Sequence, residues 1–277
     1  LQPSWPVSQR QRASLQTSDT GGILMKTAIV SGVGPLEGLG AQLCVRFARL
    51  GLHVLVAGRT QVKLDAVVDA IVGAGGSAQA VIADATSEAD TERLFELAGS
   101  DLTVAIYNTG NNTPGRIADM SAEYFENSWR VCCFGGFLFG RAAIHRFGND
   151  GGTLIFTGAS ASLRGRENFG AFNSSKGALR NLAQAMAKEY GRDGVHVGHV
   201  VVDGPIGGEK IKKGLPEYAA KLGDEGMINI DGIVDGYVFL YQHSKHFASP
   251  VCQSLPVSKN ASDGIQCKDY VSLLKRG

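Results

Sequence analysis

The feature that most constrains the fold is a repeated alternation of short apolar segments with amphipathic segments along residues 26–242. Residues 26–31 form an apolar run that is too short for a helix and leads into a glycine-rich turn. Further along, Leu64, Val67 and Ile71 recur at the spacing of one helical face. Strands that follow one another through helices pair in parallel by right-handed crossovers. We therefore predict an α/β fold with a doubly wound parallel sheet, a Rossmann-type three-layer α/β/α arrangement.

The same periodicity places the individual elements. Strands are predicted over residues 26–31, 53–57, 78–83, 102–107, 153–157 and 195–202. Helices are predicted over residues 38–50, 61–72 (with Thr60 as the N-cap), 88–98, 122–147, 171–190 and 233–242. Between residues 203 and 232 the pattern loosens into a segment containing glycine and lysine.

The composition excludes several kinds of partner. The 277 residues carry 27 basic and 26 acidic side chains, with no run of like charge to match the phosphates of a nucleic acid. No apolar run approaches the roughly 20 residues that cross a bilayer, so we expect a soluble protein without a membrane partner. The five cysteines lack the spacing of a zinc site or a disulfide framework, which favours a reducing compartment and no metal. The vicinal Cys132 and Cys133 are interpreted as core thiols, with a redox pair as the alternative.

The two ends of the chain differ from its middle. Residues 1–24 are polar and lack periodicity, which predicts a disordered leader before a domain over residues 25–243. We favour Met25 as the natural start and a cytoplasmic location. The alternative is a transit peptide that directs the protein to mitochondria or another organelle. Residues 244–277 are predicted to be a tail, with an edge strand near residues 250–257 or no fixed structure.

A glycine-rich turn between the first strand and the first helix predicts a phosphate-binding loop. It spans residues 31–40, and Gly34, Gly38, Leu39 and Gly40 are its candidate ligands. Glycine lets the backbone approach a pyrophosphate, while the amides and dipole of the helix N-terminus attract its charge. The alternative is a tight turn with a structural role only.

Here the chain resembles the short-chain dehydrogenase/reductase family, whose loop reads Thr-Gly-x-x-x-Gly-x-Gly. Gly34, Gly38 and Gly40 fit that spacing, whereas an alignment on Ser31-Gly32 makes the loop two residues longer. The resemblance continues with Asp84 after the third strand and with Asn108-Thr109-Gly110 after the fourth. It implies that Asp84 meets the adenine and that Asn108 and Gly110 border the ribose. Capping or turn roles are the alternative for each.

The end of the second strand predicts which dinucleotide is bound. The family uses a carboxylate there for NAD and a basic residue for the phosphate of NADP. The chain has Gly58-Arg59-Thr60, without an acid, and Arg59 can form paired bonds to a phosphate. We therefore predict NADP rather than NAD, with an ordinary surface arginine as the alternative.

The resemblance departs from the family pattern at the residues that catalyse the reaction. Family enzymes use a Tyr-x-x-x-Lys pair, and this chain has Lys176 but Phe172 at the tyrosine position. A phenyl ring has no ionisable group and cannot supply a proton. Counting back to the family's serine lands on Ala159, with Ser160 next to it, and the family's asparagine corresponds to Cys132. Lys176 and Ser160 are therefore the predicted catalytic residues.

The segment after residue 202 completes the predicted site. The resemblance implies that Gly204 keeps a turn and that Ile206 faces the nicotinamide amide. It also implies a substrate loop over residues 207–226. Basic side chains near the expected cleft permit an anionic substrate, although solvated loop charges explain them equally well; they are Arg164, Arg166, Lys210, Lys212 and Lys213.

Three functional hypotheses follow. The first is an NADP-dependent oxidoreductase that transfers a hydride to a small carbonyl or enoyl substrate, with Lys176, Ser160 or a water as the proton donor. The second is a catalytically impaired dinucleotide sensor or interaction module. The third is an inherited scaffold with neither property. The resemblance also implies a homo-oligomer formed through the long helices.

Overall fold

The computed structural model describes residues 25–214, 216–223, 226–244 and 253–257. The described strands are β1 (Thr27–Ser31), β2 (His53–Gly58), β3 (Ser77–Ile82), β4 (Leu102–Tyr107), β5 (Gly152–Ala159), β6 (Val195–Val202) and β7 (Gln253–Val257). These seven strands form one sheet in the order β3-β2-β1-β4-β5-β6-β7. Every neighbouring pair is parallel, from β1 beside β2 and β4 to β7 beside β6. Because the strand order reverses between β1 and β4, the chain winds outward in both directions from that point. The predicted doubly wound parallel sheet is confirmed.

The helices are α1 (Leu39–Arg49), α2 (Gln61–Gly73), α3 (Glu88–Ala98), α4 (Ala122–Trp129), α5 (Gly135–Phe147), α6 (Gly170–Tyr190), α7 (Glu209–Gly214), α8 (Pro216–Leu222) and α9 (Ile230–Gln242).

Two buried clusters hold the helical layers against the sheet. Alternate residues of a strand point to opposite faces, so Ala28 and Val30 of β1 join one cluster while Ile29 joins the other. The first cluster packs α1, α2 and α9 against one face, and the second packs α3, α5 and α6 against the other. This near-continuous burial of each strand is typical of a parallel sheet covered on both sides.

The helix predicted over residues 122–147 is interrupted, contrary to expectation. A π-helical turn, Arg130–Phe134, separates α4 from α5. The buried phenol of Tyr107 donates a 2.6 Å hydrogen bond to the carbonyl of Val131 inside this turn. A π-turn leaves carbonyls available for such bonds, and the partner comes from β4 rather than from the helix itself. The sequence of the helix alone therefore carries no signal for it.

Other differences are local. The segment after β6, which showed no periodicity, contains the short helices α7 and α8. Thr60 does occupy the N-cap position of α2, but its side chain makes no capping hydrogen bond. The leader over residues 1–24 and most of the tail lie outside the described residues. Among the described residues, no helix has the length and apolar character needed to cross a membrane, and no cluster of side chains could hold a metal ion.

Candidate functional site

The predicted site residues converge at the carboxyl edge of the sheet. Parallel strands all end on the same edge, so the loops after β1, β4, β5 and β6 meet there. The first of these loops contains the glycine turn, the second begins at Asn108, and the others carry Ser160 and Gly204. The strand order reverses between β1 and β4, which is where ligands bind in open α/β sheets.

Gly32 makes the tight turn that opens the glycine loop. Its φ is +91°, in the region that favours glycine, and a Cβ atom at this position would lie 2.7 Å from the backbone of Asn108 and Thr109. Nothing lies within 4 Å of a Cβ atom at Gly34. The geometry therefore requires glycine at position 32 and not at position 34, which supports the alignment on Ser31-Gly32 and the longer loop.

The end of the glycine loop leaves the N-terminus of α1 without a capping side chain. Gly38 is the N-cap of α1 and has no side chain to occupy the helix N-terminus, and the first turn contains no acidic residue. The buried Gly40 packs so closely that a Cβ atom would lie 2.8 Å from the carbonyl oxygen of Gly32. The first amides of a helix lack partners within that helix and carry a partial positive charge. These residues fit the pyrophosphate of a dinucleotide.

Asn108 ties three strands together at the edge of the site. Its backbone amide donates to the carbonyl of Ser31 over 2.9 Å, and its Nδ2 donates to the carbonyl of Gly32 over 3.2 Å. Its Oδ1 accepts a 2.9 Å bond from the hydroxyl of Thr157 on β5. Asn108 therefore holds the start of the glycine loop, and its place at the border of the ribose stays a prediction.

Arg59 and Asp84 lie at the ends of β2 and β3, both exposed. Asp84 Oδ1 accepts 2.8 Å bonds from the amide and the hydroxyl of Thr86. The bond from the Thr86 amide lowers the pKa of Asp84, and the positive charges of Arg59 and Arg130 act in the same direction. Asp84 is therefore an ionised turn residue, which matches the capping alternative. Arg59 stands near it with its guanidinium accessible to solvent.

Lys176 lies deep in the site rather than on the surface of α6. Its side chain is only 4% exposed, and its Nζ donates a 2.8 Å hydrogen bond to the carbonyl of Thr157. Burial disfavours the ammonium and lowers the pKa of Lys176 below its ordinary value. Phe172 precedes it by one helical turn, and the Nζ lies 5.9 Å from the centroid of that ring.

Gly110 lies between the side chains of Lys176 and Cys132. A Cβ atom at Gly110 would lie 3.3 Å from the Nζ of Lys176 and 3.6 Å from the Sγ of Cys132. Cys132 is fully buried in the π-turn, and its thiol lies 3.8 Å from the Oδ1 of Asn111. That oxygen also accepts a 3.0 Å bond from Ser128. Asn111 went unnoticed in the sequence, although it directly follows the Asn-Thr-Gly motif.

Ser160 is placed by the end of β5. It is 5% exposed, and its backbone carbonyl accepts bonds from the amides of Leu163 and Arg164, which closes a short turn. Ala159 is the last residue of β5 itself. The structure therefore puts Ser160 at the strand edge but with its backbone committed to the turn.

The loop after β6 is held at the same edge of the sheet by contacts with Ile228. Ile206 forms an isolated parallel bridge with Ile228, and the Ile228 amide donates to the carbonyl of Pro205 over 2.8 Å. Gly204 packs against Ile228, since a Cβ atom there would lie 3.2 Å from its Cδ1. At the rim, exposed Arg164 pairs with Asp203 at 3.4 Å, so one of the predicted anion-binding side chains already has an acidic partner.

Comparison with known proteins agrees with this geometry. Residues 26–208 match the family profile described as short chain dehydrogenase. Over 193 residues the chain is 31% identical to YuxG, an uncharacterized oxidoreductase of Bacillus subtilis (strain 168); the match covers 67% of this chain and 28% of that relative. The chain thus spans less than a third of the length of YuxG.

Solved structures show the same fold. A short-chain dehydrogenase from Rhodopseudomonas palustris matches with a TM-score of 0.69 and 29% identity, covering 84% of this chain and 98% of that one. A 7α-hydroxysteroid dehydrogenase, solved with NADH and 7-oxo glycochenodeoxycholic acid, matches with a TM-score of 0.75 and 26% identity, covering 84% and 93%. Because the profile spans well over half of the chain and carries the glycine loop, Asn108 and Lys176, this protein belongs to the short-chain dehydrogenase family of oxidoreductases.

Proposed function

We propose that this protein is an NADP-dependent oxidoreductase that transfers a hydride to a small carbonyl or enoyl substrate without a tyrosine as proton donor. The observation that carries the proposal is the placement of Lys176, buried and bonded to β5, one helical turn after a phenylalanine. In this proposal Phe172 occupies the position at which family enzymes have their tyrosine.

The choice of NADP rests on charge at the end of β2. Arg59 is exposed there and no acid follows the strand, so a 2′-phosphate would find a bidentate partner. The carboxylate of Asp84 interacts electrostatically with the same guanidinium and would compete with the phosphate for it. The glycine loop and the N-terminus of α1 would hold the pyrophosphate, and Asn108 and Lys176 would border the ribose on the nicotinamide side.

When bound, NADPH supplies a hydride to the electrophilic carbon of the substrate. The oxygen of a carbonyl, or the α-carbon of an enoyl group, then requires one proton. Lys176 is a suitable proton donor, because burial lowers its pKa and makes its ammonium group a stronger acid. Deprotonated Lys176 would then recover a proton from water. Ser160 is the second candidate, placed at the same strand edge.

The buried tyrosines do not replace the missing phenol. Tyr107 and Tyr237 are both 0% exposed, and burial raises the pKa of each. Tyr107 is bonded to the π-turn and Tyr237 to Thr157, so both hydroxyl protons have internal acceptors. A proton from Lys176, Ser160 or a water suits an activated substrate better than a simple ketone.

The proposal is tested by binding and turnover on the same protein. Calorimetric titration should give tighter binding of NADPH than of NADH, and a panel of carbonyl and enoyl compounds should give measurable NADPH oxidation. Lys176→Ala should lower turnover by about 100-fold, the lower end of the effect of a general acid. Lys188→Ala, which removes an exposed lysine later on α6, is the matched control and should change nothing.

Each failure has its own meaning. Tight NADPH binding with no turnover on the whole panel would favour a dinucleotide sensor. Tighter binding of NADH would contradict the role given to Arg59. Absence of binding to either dinucleotide would refute the proposal altogether.

A further inference from the structure

A buried chain of hydrogen bonds runs from helix α9 to the glycine loop. The phenol of Tyr237, on α9, lies 2.6 Å from the Oγ1 of Thr157 on β5. Thr157 Oγ1 donates to Asn108 Oδ1 over 2.9 Å, and Asn108 Nδ2 donates to the carbonyl of Gly32 over 3.2 Å. Four residues from four parts of the chain are therefore linked, and the last is the glycine that must adopt a positive φ.

The direction of this chain is fixed by proton counting. A threonine hydroxyl has a single proton, and Thr157 gives it to Asn108. The bond to Tyr237 must then be donated by the phenol. Burial raises the pKa of Tyr237 above its ordinary value, which favours the protonated phenol. Since Asn108 Oδ1 accepts from Thr157, its NH₂ group is left to face Gly32.

Thr157 also holds the lysine of the site. Its backbone carbonyl accepts the 2.8 Å bond from Lys176 Nζ, on the side of the sheet that α6 covers. Its hydroxyl meets Tyr237, which belongs to the buried cluster on the opposite face, under α9. One strand residue therefore connects the lysine, through its backbone, with the glycine loop, through its side chain.

We propose that Tyr237 is a positioning residue for the dinucleotide site, which acts by orienting Thr157 and, through it, Asn108 and Gly32. Tyr237 touches neither cofactor nor substrate, because it is wholly buried on the α9 face of the sheet. This inference rests on the proposed function for its effect on NADPH binding. The orientation of the glycine loop, however, can be measured without any cofactor.

The chain provides a matched control for the experiment. Tyr241 lies one turn after Tyr237 on the same helix, and its hydroxyl is 3.3 Å from the Oγ1 of Thr103 on the neighbouring strand β4. Thr103 lies near the beginning of β4, away from the carboxyl edge that carries the site. Tyr237→Phe and Tyr241→Phe therefore each remove a phenolic oxygen that contacts a threonine hydroxyl, at 2.6 Å and 3.3 Å respectively, but only the first belongs to the proposed chain of bonds.

The test compares amide hydrogen exchange in the cofactor-free variants and their affinity for NADPH. Tyr237→Phe should speed exchange over residues 32–40 about fivefold and weaken NADPH binding by a similar factor, the usual effect of one hydrogen bond. Tyr241→Phe should leave both at the wild-type value. Thr157→Val should change exchange and affinity at least as much as Tyr237→Phe does. Thr157→Ser, which keeps the hydroxyl, should leave both measurements near the wild-type values. The double variant Tyr237→Phe/Thr157→Val should show no larger changes than Thr157→Val alone.

The outcomes separate this inference from the proposed function. Equal exchange in Tyr237→Phe and Tyr241→Phe would overturn the positioning role, whatever the cofactor result. Faster exchange in the glycine loop with no binding of NADPH to the wild type would support the chain of bonds and refute the NADP assignment. If Tyr237→Phe lowers the melting temperature but leaves loop exchange and affinity unchanged, the residue is structural only and the proposal fails.

Discussion

Substitution of Gly32 by alanine gives the sharpest test of how the glycine loop is built. Two costs combine at this position: a φ of +91°, and a Cβ atom that would lie 2.7 Å from backbone atoms of Asn108 and Thr109. A left-handed conformation costs an alanine about 1–2 kcal/mol. Forcing extra volume against packed atoms costs roughly 1–3 kcal/mol more. We therefore expect Gly32→Ala to lower the free energy of unfolding by about 2–5 kcal/mol, a large part of the stability of an ordinary domain.

Two other glycines separate these costs. Gly51 has a similar φ of +85° but nothing within 4 Å of a Cβ atom, so Gly51→Ala should show the backbone term alone, about 1–2 kcal/mol. Gly34 has neither constraint, and Gly34→Ala should change the free energy of unfolding by less than about 0.5 kcal/mol.

Urea unfolding followed by circular dichroism measures all three, with a constant slope as the check that the unfolded state is unchanged. NADPH titration of the same variants tests the alignment of the loop. Gly32→Ala should lose affinity, because it displaces the Asn108 backbone, while Gly34→Ala should keep it. If Gly34→Ala proves more damaging than Gly32→Ala in either measurement, the longer loop that opens with Ser31-Gly32 is wrong.

Three further predictions concern the chemistry and the pH response. Phe172→Tyr should raise the kcat/KM of NADPH-dependent carbonyl reduction by about 100-fold, because it would add a general acid beside Lys176. If the variant folds and binds NADPH but shows no gain in activity, the position assigned to Phe172 is contradicted. Arg59→Ala should weaken NADPH binding by 10-fold or more, about the contribution of a charged hydrogen bond, and should leave NADH binding unchanged. Lys63→Ala, which removes an exposed lysine, is the control. Equal losses of affinity for both dinucleotides would refute the role of Arg59 in binding the phosphate. Burial, with the nearby charges of Lys176 and Arg180, lowers the pKa of His199 to about 3, so the unfolded chain binds a proton that the folded one does not. Stability should therefore be lost as the pH falls from about 6.5 toward 3, and His199→Gln should reduce the slope by up to about 1.4 kcal/mol per pH unit; identical slopes in urea unfolding between pH 7 and 5 would exclude this source.

The sequence predicted the layers of the fold because they depend on local periodicity. The bounds predicted for α3, β4 and β6 match those observed, since each has a clear apolar pattern and a definite stop. Elements without such a pattern were missed. The helices α7 and α8 have six and seven residues, too few to display a face. The π-turn depends on a phenol from another element.

The sequence identified the candidate site residues but not the contacts between them. The carboxyl edge follows from the parallel sheet, so the residues after β1, β4 and β5 could be placed together from the sequence alone. The link between Tyr237 and Thr157 spans 80 residues of sequence and carries no motif. Likewise, only packing distinguishes Gly32 from Gly34, and only burial distinguishes Lys176 from a lysine on a helix surface.

The π-turn also governs the angular phase of the helix that crosses the site. Each α-helical residue turns the chain by about 100°. A π-turn contains one residue more than an α-turn, so α4 is rotated by about that angle relative to a straight extension of α5. Deleting one residue from Arg130–Phe134 would allow an uninterrupted α-helix and swing Ser128 away from its bond with Asn111. The number of residues between α4 and α5 therefore cannot change by even one. With one residue fewer, the chain could form a regular α-helix or keep the packing around Lys176, but not both.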